Sequence, residues 1–187
     1  MPLQHFFSDY EPHASSPGDF TFCPRCSTQM QRIESGGKIR PTCPNCGFVQ
    51  FNNPAPAVSI LIVDDDHVLL GRRTNDPGKG LWSTPSGYIE YDDDFLQAAV
   101  REAKEETGLD VEILSILNVS SDFLSPRWHF LTISLLVRPT GGVLTPSDEM
   151  EILQWFPVGG PLPELAFKED AYHINLYASQ RAKDLIP

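Results

Sequence analysis

Basic side chains are scarce in this 187-residue chain, with 14 lysines and arginines against 25 acidic residues and a formal charge of −11. The pI is near 4.7. Such a balance repels nucleic acid and anionic membrane unless bases are gathered locally, and an anionic substrate then needs bridging cations. Long hydrophobic runs are lacking too. No stretch approaches the roughly 18 apolar residues of a membrane span, and MPLQHFFSDYEPHASSPGD has neither the basic start nor the apolar centre of a secretion signal. The expectation is a cytoplasmic protein with no membrane contact. There is no internal repeat.

Cysteine is limited to four residues, all in two knuckles: Cys23-Pro-Arg-Cys26 and Cys43-Pro-Asn-Cys46-Gly47. Each C-x-x-C offers two thiolates to one side of a tetrahedron, and the residues between can form a hairpin about Ser35-Gly36-Gly37. Four thiolates leave no open position for water, which predicts structural Zn²⁺. Two disulfides or a redox pair are the alternatives. The lack of a secretion signal disfavours the first, and duplication of the knuckle the second. A segment of about 30 residues cannot hold a core alone, so the metal should supply much of its folding energy.

Three regions follow: a loosely ordered lead-in over 1–19, rich in Pro, Ser and acids; a zinc ribbon over 20–50; and a larger domain over 51–187. Phe51-Asn52-Asn53-Pro54-Ala55-Pro56 reads as an extended connector. Strands are predicted over 58–63 and 68–72 around Asp64-Asp65-Asp66, then over 114–119, 130–137 and 152–156. A terminal helix is predicted over 168–183, with Ala171, Ile174 and Ala178 on one side. Strands interleaved with helices predict a mixed sheet with helices on its faces.

The most informative stretch is GYIEYDDDFLQAAVREAKEETGL, residues 87–109. On a helix, Leu96, Val100, Ala103 and Thr107 make a mostly apolar stripe, expected to be the buried side. Glu102, Glu105 and Glu106 share a neighbouring face, where Ala98 and Ala99 leave open space one turn earlier. Asp92 or Asp93 is the expected N-cap, and Gly108-Leu109 the stop. Like charges four apart oppose a helix by roughly 0.2–0.5 kcal/mol per pair. Lys104 points away, and Arg101 is expected to reach only Glu105. A solvated acidic face therefore fits poorly, whereas clustered carboxylates suit a hard divalent cation such as Mg²⁺ bridging to phosphates.

Gly87, five residues, Asp93, seven residues, then Arg101-Glu102-Ala103-Lys104-Glu105-Glu106-Thr107-Gly108-Leu109 resembles the Nudix hydrolase box, G-x5-E-x7-R-E-U-x-E-E-x-G-U, where U is apolar. Every fixed position matches except Asp93, where the family has Glu. The resemblance covers roughly residues 55–160 and implies an α/β/α sandwich with a mixed sheet. It further implies that Glu102 and Glu106 are the main Mg²⁺ or Mn²⁺ ligands, joined by Glu105 in some metal states and by a backbone carbonyl at Ser86. Arg101 would brace the helix through Asp93 and Glu105, although Asp93 is one methylene short and expected to fall short of it. A general base, where the family uses one, comes from a later acidic loop; here Glu149 is favoured over Glu151. Glu90 reads equally as a ligand or a turn residue.

The implied reaction is metal-dependent splitting of a nucleoside diphosphate linked to another moiety. Trp82, Tyr88, Phe123, Trp128 and Phe130 are candidates for stacking a base, or for core. A zinc ribbon before the box resembles two subgroups. NADH diphosphatases carry an S-Q-P-W-P-F-P-x-S array that NVSSDFLSPRW, residues 118–128, lacks. The tail Leu165-Ala166-Phe167 with Asn175-Leu176-Tyr177 resembles zinc-ribbon FAD/ADP-ribose diphosphatases, so ADP-ribose or FAD is the expected substrate, NADH the alternative, and a homodimer the implied assembly. An alternative of another class is a nucleic-acid-binding regulator using the Nudix body as a ligand sensor. It is disfavoured because the excess of Arg25, Arg32, Lys38 and Arg40 over Glu34 shrinks to a net charge of about +1, a thin basic patch, once the zinc-bound thiolates subtract about two charges.

Overall fold

The computed structural model describes residues 5–7, 18–125 and 128–183. The lead-in expected over 1–19 therefore falls outside the described residues except at 5–7, which form strand β1 (His5–Phe7), and at 18–19. Two compact units separate, one containing 55–122 and 130–187 and the other 7–54 with 123–129.

In the smaller unit, β2 (Gln31–Ser35) pairs antiparallel with β3 (Lys38–Thr42), with Ser35 opposite Lys38. Gly36 and Gly37 close the hairpin at φ of 59° and 73°, a region costly for other residues. The two cysteine knuckles repeat one backbone pattern. Cys23 N–H donates to Thr28 O and Ser27 N–H to Cys23 O, just as Cys43 N–H donates to Phe48 O and Gly47 N–H to Cys43 O. All four Sγ atoms lie within 4.8 Å of one another. Cys23 to Cys46 is 3.6 Å and Cys26 to Cys43 is 3.4 Å. A tetrahedron with Zn–S of about 2.3 Å has edges of about 3.8 Å, so the four thiols can close on one zinc with sulfur shifts of no more than about 1 Å.

The larger unit is built on one mixed sheet. Its strands are β4 (Ala55–Asp64), β5 (His67–Arg73), β6 (Trp82–Ser83), β7 (Ser86–Tyr88), β8 (Leu109–Ser125), β9 (Trp128–Gly142) and β10 (Met150–Pro157). The order is β1-β8-β9-β4-β5-β10, with β6 on β5 and β7 on β4. β4 runs parallel to β9, from Ala55 opposite Phe130 to Ile62 opposite Val137, while its pairings with β5 and β7 are antiparallel. The predicted strands are all present but longer. The two short strands β6 and β7 escaped the sequence reading because they are only two and three residues long.

Alternation along β4 sends Val58, Ile60 and Ile62 to one core and Leu61 and Val63 to another. The first core takes Ala98, Ala99 and Ala103 of α1 (Phe95–Thr107). The second takes Ile174 and Tyr177 of α2 (Lys168–Arg181). Helices thus cover both faces, which is the α/β/α sandwich expected. Among the described residues, no helix is long and apolar enough to cross a membrane.

Zinc should be stoichiometric in the purified chain by elemental analysis. Cys23→Ser should lose it and accelerate amide exchange over 18–54 while leaving exchange in β4 and β9 slow. A chain purified without zinc would overturn the ribbon assignment.

Candidate active site

α1 begins at Asp94, whose carboxylate accepts from the Leu96 and Gln97 N–H groups at 2.8 and 3.0 Å. The cap is therefore neither Asp92 nor Asp93. The helix stops at Gly108, φ 74°, where an added Cβ would collide with the Val143 carbonyl. Its buried face also differs from the expected stripe. Ala98, Ala99, Ala103, Glu106 and Thr107 are buried, whereas Leu96 and Val100 are 41% and 40% exposed. The space expected beside Ala98 and Ala99 is filled by the core. Small side chains let the helix axis come close to β4 and β7, and that close approach outweighs burial of two larger apolar residues on the flank. Glu106 is carried inward as a result.

Glu106 is 5% exposed, and its Oε2 accepts from the Ser86 N–H at 2.9 Å. Burial pushes its carboxyl up to about 8, against the opposing bond from Ser86, with the charges of Glu102 and Glu149 adding to the rise. Glu102 is also raised, first by burial, while Arg101 opposes the shift. Gly87 lies so close to Glu102 that a Cβ there would overlap its carboxylate. Any side chain at this point would have to push the Glu102 carboxylate aside. β7 holds the loop in place, with Ser86 opposite Ser59 and Gly87 opposite Val58 on β4.

Arg101 reaches more than the sequence suggested. Nη1 donates to Glu102 at 2.7 Å and to Glu105 at 3.2 Å, and Nη2 donates to Asp93 at 2.8 Å and to the Tyr88 carbonyl at 3.1 Å. Nε adds a second bond to Asp93 at 3.1 Å. The shorter Asp93 does not fall short, because its position at the foot of the loop brings it onto the guanidinium. The acidic face is thus partly relieved by a cation, with Lys104 turned away to Asp110. Asp93 and then Glu102 raise the Arg101 pKa further above its ordinary value. Glu105 remains mostly exposed beyond this pair.

The acidic loop before β10 contributes unequally. Glu149 acts electrostatically on both Glu102 and Glu106, and its carbonyl accepts from the Thr74 N–H. Glu151 instead pairs with Arg72 at 2.8 Å. Glu90 is exposed, and its carbonyl accepts from the Asp93 N–H. Of the aromatic candidates, Trp82 packs edge-on against Phe156 and Tyr88 tilts against Phe130. Phe123 contacts His129 and Trp128 is partly exposed, both in the smaller unit. Pro126 and Arg127 of the 118–128 stretch lie outside the described residues.

A buried acidic group behind the loop was not foreseen. Asp122, Glu169 and Asp170 are buried and raised primarily by burial, Glu169 to about 8 and Asp170 to about 7. Arg73 opposes the shift at both Asp170 and Glu106. Acids in the first turn of α2 read in the sequence as dipole partners, so nothing local announces that they point inward.

The carboxyl set fits a divalent cation. Glu106 is buried with one backbone donor, Glu102 sits against bare backbone at Gly87, and hard oxygen donors are what Mg²⁺ and Mn²⁺ take. In protein freed of these cations, Glu106 holds its proton more tightly folded than unfolded. Its contribution is present below pH 4.5 and lost as pH rises through about 8. Glu169 acts in the same direction and window. Urea midpoints should therefore fall between these pH values, and Glu106→Gln should flatten the slope and raise the midpoint at the alkaline end. An unchanged slope in the variant would refute the buried carboxyl assignment.

Comparison with known proteins places the chain. The NUDIX domain family matches residues 53–177. An ADP-ribose pyrophosphatase of Methanocaldococcus jannaschii is 38% identical over 121 residues, covering 64% of this chain and 71% of that protein. The NAD-capped RNA hydrolase NudC of Pseudomonas aeruginosa is 32% identical over 166 residues, covering 86% of this chain but only 56% of the relative's length. Among solved structures, a NUDIX hydrolase from Nitrosomonas europaea superposes with a TM-score of 0.77 at 25% identity, over 88% of this chain and 93% of that one. With the family match extending across the sheet, the α1 carboxylates and most of α2, the chain belongs to the NUDIX domain family.

Proposed function

We propose that the protein hydrolyses a nucleoside diphosphate linked to a second moiety, ADP-ribose or FAD foremost, to AMP and a second phosphate ester. The observation that carries this reading is the pair Glu102 and Glu106, drawn against the Ser86-Gly87 backbone. Glu102, Glu106, Glu105 and the Ser86 carbonyl would hold Mg²⁺ or Mn²⁺. A divalent cation there supplies phosphoryl polarisation and a lower pKa for an attacking water. Arg101 orients Glu102 and Glu105 by donating to both from Nη1. Glu149, whose charge acts on both buried glutamates, would accept a proton from the attacking water, the bridging oxygen leaving on the other phosphate.

Support for the substrate class comes from the M. jannaschii relative, which matches at higher identity than the NudC proteins. One observation favours a second reading, in which NADH or an NAD-capped RNA is the diphosphate. The NudC matches run over 77% to 88% of this chain, more than the NUDIX match alone. A homodimer belongs to the same proposal, to be read from mass by light scattering.

The test is a screen of ADP-ribose, FAD, NADH, NAD⁺, diadenosine polyphosphates and a 5′-NAD-RNA with Mg²⁺ or Mn²⁺. ADP-ribose or FAD should give AMP faster than NADH, and Glu102→Gln and Glu106→Gln should each lose most turnover while remaining folded. An order-of-magnitude preference for NADH or NAD-RNA would install the second reading. Activity confined to nucleoside triphosphates would sink both.

A further inference from the structure

The buried Asp170, at the start of α2, is held by Thr84: its Oδ1 accepts from the Thr84 hydroxyl at 2.6 Å, and the Thr84 backbone N–H also acts on the carboxyl. Its Oδ2 has no hydrogen-bond partner. A carboxyl removed from water is costly to hold unless it is bonded, so this contact has structural weight. Thr84 is itself buried, and its hydroxyl also lies 3.1 Å from Ser59 Oγ. Ser59 stands opposite Ser86 in the β4–β7 register. Between Thr84 and Ser86, the Pro85 carbonyl accepts from the Ile60 N–H at 2.8 Å. Ser86 then donates its N–H to Glu106. Bonded contacts therefore run from α2 through Thr84 and the loop to the deepest carboxylate of α1.

The segment leading into α2 reinforces this arrangement. Trp82 N–H donates to Glu164 O at 3.0 Å and Ala166 N–H donates to Trp82 O at 2.8 Å, so 164–166 lie along β6. The Arg73 guanidinium sits 4.9 Å over the Phe167 ring. Asp170 is thereby delivered to Thr84 by a docked chain.

From this geometry we infer that Asp170 is a positioning residue for the cation-binding loop, fixing Thr84 so that the Ser86 backbone meets Glu106. The inference rests on the proposed reading of Glu102 and Glu106 as cation ligands. Asp170 touches neither cation nor substrate. Asn has the same shape and keeps a carbonyl oxygen to accept from the Thr84 hydroxyl.

The experiment is Mn²⁺ titration by calorimetry on the full zinc-loaded chain, alongside thermal unfolding and turnover. Thr84→Val, which keeps the shape and removes the hydroxyl, and Asp170→Ala should each weaken Mn²⁺ binding by about tenfold. The double variant should be no weaker than either single one, and Asp170→Asn should recover most of the affinity. Turnover should regain its parental KM for substrate at saturating Mn²⁺. Parental Mn²⁺ affinity in Thr84→Val overturns the inference, as does an additive double variant or an Asp170→Asn as weak as Asp170→Ala. If Asp170→Ala does not fold, Thr84→Val decides alone. Glu106→Gln separates the two levels: parental Mn²⁺ affinity there removes the site reading itself. Loss in Glu106→Gln with no change in Thr84→Val removes only the positioning role.

Discussion

The distance at which α1 can settle on the sheet governs the site. Ala98, Ala99 and Ala103 have no exposure at all, and with so little side chain between backbone and backbone the helix seats against β4 and β7. Glu106, one turn beyond Ala103 on nearly the same face, is left almost without exposure and meets the Ser86 N–H. Glu102 comes so close to Gly87 that a side chain there would displace its carboxylate. Larger residues at the alanines would move the helix outward and open both contacts together, because a packed core does not deform by small continuous steps.

Charge is handled by the same economy of contacts. A chain of net charge −11 places one guanidinium, Arg101, among Asp93, Glu102 and Glu105. It leaves Glu106 to rely on a backbone donor. Such a site is incomplete as an electrostatic object, since two buried or half-buried carboxyls sit above their ordinary pKa with no full counter-charge. On the proposed reading, a cation bound here would displace the extra protons and would compete with Arg101 for the Glu102 carboxylate.

Much of this was legible in the amino-acid sequence, and the failures have physical reasons. The β4, β5, β8, β9 and β10 strands, the terminal helix and the glycine stop of α1 follow from local periodicity and turn chemistry. The cysteine knuckles and the box were equally readable, because their spacing is itself the chemical requirement. The orientation of α1 was not. Hydropathy gives Leu96 and Val100 to the core, and only the close approach of another element shows that alanine is the buried face. Arg101 was underestimated because its partners Asp93 and the Tyr88 carbonyl lie on the loop, not the helix. Asp170 and Thr84 stand 86 residues apart, so no window of sequence contains the pair.

That separation bears on how the protein comes into being on the ribosome. The glutamates of α1 and the backbone of 84–87 are made early, yet the hydroxyl of Thr84 finds its acceptor only after α2 has emerged. A nascent chain that ends before this helix exposes Leu61, Val63 and Leu136, the floor that Ile174 and Tyr177 later cover. Partial chains would therefore be both sticky and poorly equipped to bind a cation, and the two deficits end together when one helix docks.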